Sequence, residues 1–169
     1  KLPNIEITKQ DLRTLEIESS DAIITIFNAI GHLQPQDFKT ALERIYGCLP
    51  KGGIYIFDIF NAGFLDKNFI DYEFIDRAVE HKEMKFVRFN HNTYDVDKCI
   101  VHINQRTYIQ KGLEKPELVR EVWDMQTYHA EQIAEILKEA GFKIQAVLNF
   151  DGEKLDKEKD LNMLIVAQK

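Results

Sequence analysis

Three groups of polar side chains that could bind or transform a ligand follow predicted strands of this sequence. They are Gln10 with Asp11, the stretch from Asn28 to His32, and Asp58 with Asn61, of which Asp58 lies near the end of its predicted strand and the others lie beyond theirs. Carboxylates and amides exchange hydrogen bonds with a ligand, and an imidazole can also take up or release a proton near neutral pH. His32 is therefore the candidate proton acceptor of the three groups.

Each group also has an ordinary structural interpretation, and both interpretations stay open at this point. Asp11 could cap the turn that precedes Leu15. Asn28 could satisfy loop geometry alone, and the Asp58 carboxylate could accept hydrogen bonds from backbone N–H groups of the turn that follows it.

A fourth candidate is the polar face of a predicted central strand at residues 99–109. Arg106 could pair with a substrate carboxylate through its planar guanidinium group. The side chains expected around it are His102, Asn104, Tyr108 and Trp123. The alternative is a sheet face that only contacts solvent.

The elements that would position these groups are predicted from the hydrophobic pattern. The apolar runs 22–27 and 54–59 are typical of strands that are buried on both faces, and residues 35–48 have helical periodicity between them. Residues 4–8 alternate and predict a short first strand. Because ligands bind beyond the carboxyl ends of parallel strands, we expect the three polar groups to meet at one sheet edge.

The middle of the chain predicts an antiparallel meander inserted at residues 70–128. Its expected strands are 84–94, 99–109 and 118–128. The remaining predicted elements are a helix at 130–140, ended by Gly141, and strands at 143–150 and 162–167. The predicted fold class is α/β, and the loop 151–160 should be exposed because it is rich in charge.

Composition narrows the function classes. The 169 residues, 44% hydrophobic, predict one domain, and the net charge of −6 argues against a nucleic-acid partner. Cys48 and Cys99 have no metal-type spacing, so we expect reduced thiols of a cytoplasmic protein and no bound metal. No apolar run approaches the ~20 residues of a membrane span, so no membrane partner is expected.

Four stretches together resemble the class I S-adenosylmethionine-dependent methyltransferases. They are QDL at 10–12, DAIITIFNAIGHL at 21–33, LPKGGIYIFDIFN at 49–61 and TYHAEQIAEILKEAGF at 127–142. The resemblance implies the C-terminal part of a Rossmann-like fold and S-adenosyl-L-methionine as cofactor. The inserted meander is similar to that of glycine N-methyltransferase-like and sugar-amine methyltransferases, which implies a small-molecule acceptor, an amine nitrogen.

The resemblance has one departure, because no glycine-rich GxGxG loop occurs in the chain. In the family's sheet order, 3-2-1-4-5-7-6, two strands would be missing between residues 4–8 and 22–27. We therefore expect the C-terminal portion, 1–169, of a longer methyltransferase. Either an upstream half or a second copy in a homodimer could fill the resulting gap, since unpaired strand edges are unfavourable.

The resemblance also implies roles for the candidate residues. The cofactor-binding residues would be Gln10, Asp11, Leu12, Asn28, Ala29 and His32, with the adenine amine on Asp11. The substrate residues would be Asp58, Asn61, Arg106, Tyr108 and Trp123. His32 would remove the proton from an amine, unless it is a structural histidine. Two different functions stay open beside this one: methyl transfer to a hydroxyl or to a protein, and a non-catalytic domain that acts in assembly.

Overall fold

The computed structural model describes residues 4–169 and contains two four-stranded sheets. The first sheet consists of β1 (Ala22–Thr25), β2 (Ile54–Phe60), β7 (Lys143–Leu148) and β8 (Asn162–Gln168). The second consists of β3 (Glu73–His81), β4 (Met84–Asp95), β5 (Ile100–Lys111) and β6 (Glu117–Gln126). The α-helices are α1 (Pro35–Cys48), α2 (Ala62–Asn68) and α3 (Ala130–Glu139), and short 3-10 helices lie at Leu12–Thr14 and Ala29–His32.

The first sheet has the strand order β1-β2-β8-β7. Strand β1 runs parallel to β2, and β8 runs antiparallel to both of its neighbours. This arrangement confirms the predicted α/β class and reproduces the 4-5-7-6 portion of the expected sheet order. Helix α1 connects the two parallel strands, as predicted.

The main core lies between this sheet and helices α1 and α3. Apolar residues of α1 recur at helical spacing, so one stripe of the helix is buried against the sheet. The Phe38 ring packs against Phe57 with centroids 5.8 Å apart and against Tyr128 at the same separation. Gly141 follows α3 with φ of +91°, the left-handed conformation predicted for a glycine past a helix end.

The second sheet is an antiparallel meander in the order β3-β4-β5-β6. The face of β5 opposite the predicted polar face is buried, because Val101 and Ile103 pack together with Leu65 of α2 and Met125 of β6. Strand β3 and helix α2 were not predicted. Strand β3 is largely exposed and irregular in register between Ile75 and Arg77, so its sequence shows no clear alternation.

The predicted strand at residues 4–8 is wrong. These residues form no strand and pair with none, and Ile5 and Ile7 are 62% and 91% exposed. Apolar alternation alone does not form a strand without a neighbour to accept its hydrogen bonds. The expected gap between two strands is therefore not formed within residues 4–169.

The prediction that 22–27 is a strand buried on both faces is also wrong. Strand β1 ends at Thr25 and pairs only with β2 among the described strands. As a result Ile24 is 60% exposed and Ile26 is 52% exposed, although both are strongly apolar. A continuous apolar run predicts burial only if the strand has neighbours on both sides.

Three further features concern the charged loop, the helices and the inserted subdomain. The loop at residues 151–160 is largely exposed, as predicted. None of the helices in residues 4–169 is long and apolar enough to cross a membrane. The boundaries 70–128 for an inserted subdomain stay a prediction.

Candidate functional site

The exit of β1 has an unusual backbone. Phe27 and Asn28 both have left-handed conformations, with φ of 63° and 53°. Such a conformation costs a non-glycine residue about 1 kcal/mol or more, so the surrounding contacts must hold it. The turn then passes into the 3-10 helix Ala29–His32 and leaves Asn28 only 4% exposed.

Asn28 connects three strand ends through hydrogen bonds. Its backbone N–H donates to Asp58 Oδ2 at 2.9 Å, and its side-chain Oδ1 accepts from the Phe60 backbone N–H at 3.2 Å. Its Nδ2 donates to the Met125 sulfur at 3.8 Å. The ends of β1, β2 and β6 therefore meet at this one side chain, at the sheet edge where Asn28 was predicted to lie.

Asp58 is buried beneath this turn and is 4% exposed. Its Oδ1 atom is buried without a hydrogen-bond partner in the part of the chain that the structure describes. Buried polar atoms are normally paired, so an orphaned carboxylate oxygen at a strand end fits a ligand that carries a hydrogen-bond donor. Asp58 thus both holds the Asn28 turn and keeps one free acceptor.

Gly31 allows the turn to close over Asn28. A Cβ atom at this position would lie 2.7 Å from Asn28 Nδ2 and 3.0 Å from Asn28 Oδ1. A contact of 2.7 Å forces a shift, so a side chain at position 31 would displace the asparagine. The glycine at position 31 therefore lets the Asn28 side chain keep its place.

His32 ends the 3-10 helix and is exposed. Its imidazole makes no hydrogen bond to residues 4–169, so it is available to solvent and to a ligand. Ala29 is half-buried beside Asn28 at the start of the same helix. The cofactor and proton-transfer roles of these residues stay predictions.

Asp11 caps the first 3-10 helix. Its Oδ1 accepts the Arg13 backbone N–H at 2.9 Å, and its Oδ2 accepts from Arg13 Nη2 at 2.7 Å. These hydrogen bonds to Arg13 lower the pKa of Asp11 to about 2. Gln10 accepts the Glu16 backbone N–H at 3.0 Å, and Leu12 packs on the main core. A ligand at Asp11 would have to displace the Arg13 side chain.

The first and second polar groups lie at the same end of α1. Arg13 Nη1 contacts Asp37 Oδ2 in the first turn of that helix at 3.4 Å. His32 precedes the same helix by three residues, since α1 begins at Pro35. The structure therefore brings Asp11 and His32 towards one end of the helix, although no direct contact joins them.

Asn61 is 1% exposed, and its side chain is engaged within the protein. Its Nδ2 donates to the carbonyls of Lys157 and Asp160 at 3.0 and 2.8 Å, and its Oδ1 accepts the Gly63 N–H at 3.0 Å. The residue thus caps α2 and fixes the charged loop. Its predicted substrate contact stays a prediction, and these bonds compete with it.

The expected grouping around Arg106 is formed only in part, because His102, Asn104 and Tyr108 share one face of β5 with it and Trp123 does not. Arg106 pairs with Glu73 of β3, and the Tyr108 ring meets Phe89 edge-on at 5.8 Å. Trp123 pairs in register with Ile103, so its side chain lies on the opposite face of the sheet from Arg106. Placing Trp123 with Arg106 and Tyr108 was therefore wrong, while a substrate role for any of these residues stays a prediction.

One further polar group, which was not predicted, lies beneath α2. Tyr94 Oη donates to Asp66 Oδ1 at 2.9 Å, and His129 Nε2 lies 3.4 Å from Asp66 Oδ2. Burial raises the pKa of the Tyr94 phenol above its ordinary value. The three residues come from β4, α2 and the start of α3, and α2 was not predicted, so no local pattern could have joined them. Residues 4–169 contain no cluster of three or more side chains suited to a metal ion.

Comparison by sequence identifies no relative: no family model matches the chain, and no curated protein matches it. Comparison by structure does. An S-adenosylmethionine-dependent methyltransferase from Clostridium acetobutylicum superposes with a TM-score of 0.77 at 18% identity, covering 95% of this chain and 63% of that one.

Two other solved structures are similar to a comparable extent. An amino pentose methyltransferase from Micromonospora echinaspora, solved with S-adenosylmethionine bound, has a TM-score of 0.72 at 19% identity and covers 99% of this chain and 66% of that one. A sugar N-methyltransferase from a Streptoalloteichus species has a TM-score of 0.74 at 17% identity, covering 99% and 64% respectively. The chain therefore spans a little under two thirds of the length of these structures and has the fold of the corresponding part of a Rossmann-like methyltransferase.

Proposed function

We propose that this chain serves S-adenosylmethionine-dependent methyl transfer to a small-molecule acceptor, with an amine nitrogen as the acceptor atom. The observation that carries the proposal is the structural likeness: 94 to 99% of the chain is covered by each of four solved methyltransferases with TM-scores of 0.71 to 0.77. Two of these are an amino pentose methyltransferase and a sugar N-methyltransferase. The amine acceptor is inferred from them.

The arrangement at the strand ends supports the same proposal. A methyl donor must be held so that its reacting carbon faces the acceptor, because alignment supplies most of the acceleration. The left-handed turn at Asn28 is held by a buried hydrogen bond to Asp58 and a half-buried one from the Phe60 N–H, so it can serve as a fixed wall of the site. The orphaned Oδ1 of Asp58 beside it favours a ligand with N–H donors, and an amine acceptor is such a ligand.

Different residues of the site would hold different parts of the cofactor. When bound, S-adenosylmethionine supplies an electrophilic methyl group. Asp11 would accept the exocyclic amine of adenine after Arg13 moves aside, since it stays ionised at neutral pH. Asn28 and Ala29 would line the methionine part, and the exposed imidazole of His32 would take the proton that the amine loses.

The activity is tested with the protein in its full expressed length. We would incubate it with S-adenosylmethionine carrying a labelled methyl group and a panel of small primary and secondary amines, and measure labelled product and S-adenosylhomocysteine. Product from at least one amine is expected. If the protein neither binds the cofactor nor releases S-adenosylhomocysteine with any acceptor, the proposal is wrong and a non-catalytic function is favoured.

The role of His32 has a separate test within the same assay. Replacing His32 by Gln should lower turnover at neutral pH and flatten the dependence of kcat on pH, because the proton acceptor is removed. His81 is also exposed but lies at the far end of β3, so His81→Gln is the matched control. An unchanged pH profile in His32→Gln would assign this histidine a structural role.

A further inference from the structure

A cavity of about 300 Å³ lies between α2, the segment that follows it and the second sheet. This volume is at the lower end of the range for small-molecule sites. Its walls are mainly aromatic, and the rings are those of Phe60, Phe64, Phe69, Tyr72 and Phe74. Tyr72 and Ile70 are 54% and 70% exposed, so the cavity opens to solvent on their side.

Two unpaired polar atoms lie on the sheet surface that forms the floor of this region. Asn92 lines the cavity, and its Oδ1 is buried without a hydrogen-bond partner among the described residues. The Nε1 donor of Trp123 is also buried and has no hydrogen-bond partner among residues 4–169. Asn92 and Trp123 both pair in register with Ile103, so the acceptor and the donor flank one residue on one face.

The cavity also lacks charge. None of the described residues that line it is Lys, Arg, His, Asp or Glu. Its other amide, Asn68, already donates to the carbonyls of Phe64 and Glu158 at 2.9 and 3.0 Å. A phosphate, carboxylate or ammonium group would therefore lose its hydration here without gaining an opposite charge.

The cavity adjoins the strand ends described above. Phe60 lines it and donates its backbone N–H to Asn28 Oδ1 at 3.2 Å. Val101 also lines it and pairs in register with Met125, which accepts a hydrogen bond from Asn28 Nδ2. A molecule in the cavity would thus lie next to the turn at which we place the methyl donor.

We propose that this cavity binds an uncharged aromatic group that carries a hydroxyl or N–H donor, and that Asn92 Oδ1 accepts this hydrogen bond. If the proposed function holds, this group is part of the methyl acceptor, so the identification as an acceptor rests on that function. The part of the acceptor that lies in this cavity is then neutral and aromatic and carries no phosphate, and the amine nitrogen lies outside the cavity. Stacking on the rings supplies most of the affinity, and Asn92 selects the donor-bearing compound.

The test uses Trp123, the single tryptophan of the sequence, as the reporter. It packs against the apolar cluster of Val101, Ile103 and Met125, so a ligand in the adjoining cavity should change its fluorescence. The chain is titrated without cofactor with para-cresol, with toluene, which lacks the hydroxyl, and with para-cresyl phosphate. Para-cresol should bind about threefold to tenfold more tightly than toluene, the range that one hydrogen bond supplies. The phosphate should not bind.

Variants assign the preference to Asn92. Replacing Asn92 by Leu should make para-cresol and toluene bind equally, while Asn104→Leu should keep the preference, because Asn104 lies on the opposite face of the same sheet. If Asn92→Leu does not fold, Asn92→Asp is the second variant, because it keeps the side-chain shape and adds a negative charge. Its cavity should bind benzylammonium, and the cavity of the unaltered chain should not. Equal binding of cresol and toluene, retention of the preference in Asn92→Leu, or binding of the phosphate would overturn the proposal.

The two proposals fail separately. A preference for para-cresol in a protein that never transfers a methyl group would keep this binding site and reject the proposed function. Methyl transfer by a protein whose cavity ignores the hydroxyl would keep the function and reject the acceptor class.

Discussion

Gly31 offers a direct test of how the candidate site is held together. Its backbone does not have positive φ, so alanine is compatible with its conformation. The obstacle is steric: the new Cβ would lie 2.7 Å from Asn28 Nδ2. We expect Gly31→Ala to push the Asn28 side chain away and break its hydrogen bond with the Phe60 N–H.

The size of the effect follows from two opposing terms. Replacing glycine by alanine where the backbone permits it usually stabilises the folded protein by about 0.4–1 kcal/mol, because the unfolded chain loses conformational entropy. Leaving a buried N–H without its acceptor costs about 1–3 kcal/mol. The second effect is larger, so the free energy of unfolding should fall by about 1–2 kcal/mol.

Urea unfolding, followed by circular dichroism, measures this difference. Gly47→Ala is the matched control, because Gly47 lies in α1 with no atom within 4 Å of its added Cβ, and it should gain up to about 1 kcal/mol. The second control places Gly31→Ala in an Asn28→Gly background, where there is no side chain to displace. If Gly31→Ala is as stable as the parent, or is equally destabilising without the Asn28 side chain, our interpretation of this turn is wrong.

Three further predictions concern neighbouring features. Phe27→Gly should raise the free energy of unfolding, measured with urea, by about 1 kcal/mol, because the Phe27 backbone is left-handed and its side chain is 88% exposed. A loss of stability would mean that packing holds the Phe27 side chain. Asp11 should titrate in the folded protein near pH 2, measured by NMR, and its stabilising contribution should be complete above the unfolded pKa and be lost as the pH falls towards about 2. In Arg13→Ala the titration midpoint of Asp11 should rise, and an unmoved midpoint would contradict the pairing with Arg13. Asn61→Ala removes three hydrogen bonds, so the free energy of unfolding should fall by about 3 kcal/mol and amide exchange at residues 156–160 should become faster. Unchanged exchange would show that Asn61 does not anchor this loop.

Much of the fold was predictable because its signals are local. The periodicity of α1, the glycine that ends α3 and the alternation of β5 each depend on a few adjacent residues. Burial of β1 was not predictable in this way, because it depends on which strands lie beside it. The same apolar run is half exposed when only β2 pairs with it.

The candidate site was predictable in position and less so in its contacts. Polar residues at the strand ends did identify the edge where Asn28 and Asp58 meet. The left-handed turn and the Met125 contact depend on tertiary packing, which no local pattern encodes. The error at Trp123 has the same origin: strand register fixes the face, and a change of one residue in register moves every side chain to the other face.

The most direct test of the central claim is to locate the bound cofactor. Amide NMR shifts of the isotopically labelled, full expressed protein would be followed during titration with S-adenosylhomocysteine. We predict that the largest shifts fall at Asp11 and Leu12 and in the turn from Asn28 to His32, where the ends of β1 and β2 meet the start of α1. Absence of binding, or shifts confined to the second sheet, would contradict this claim.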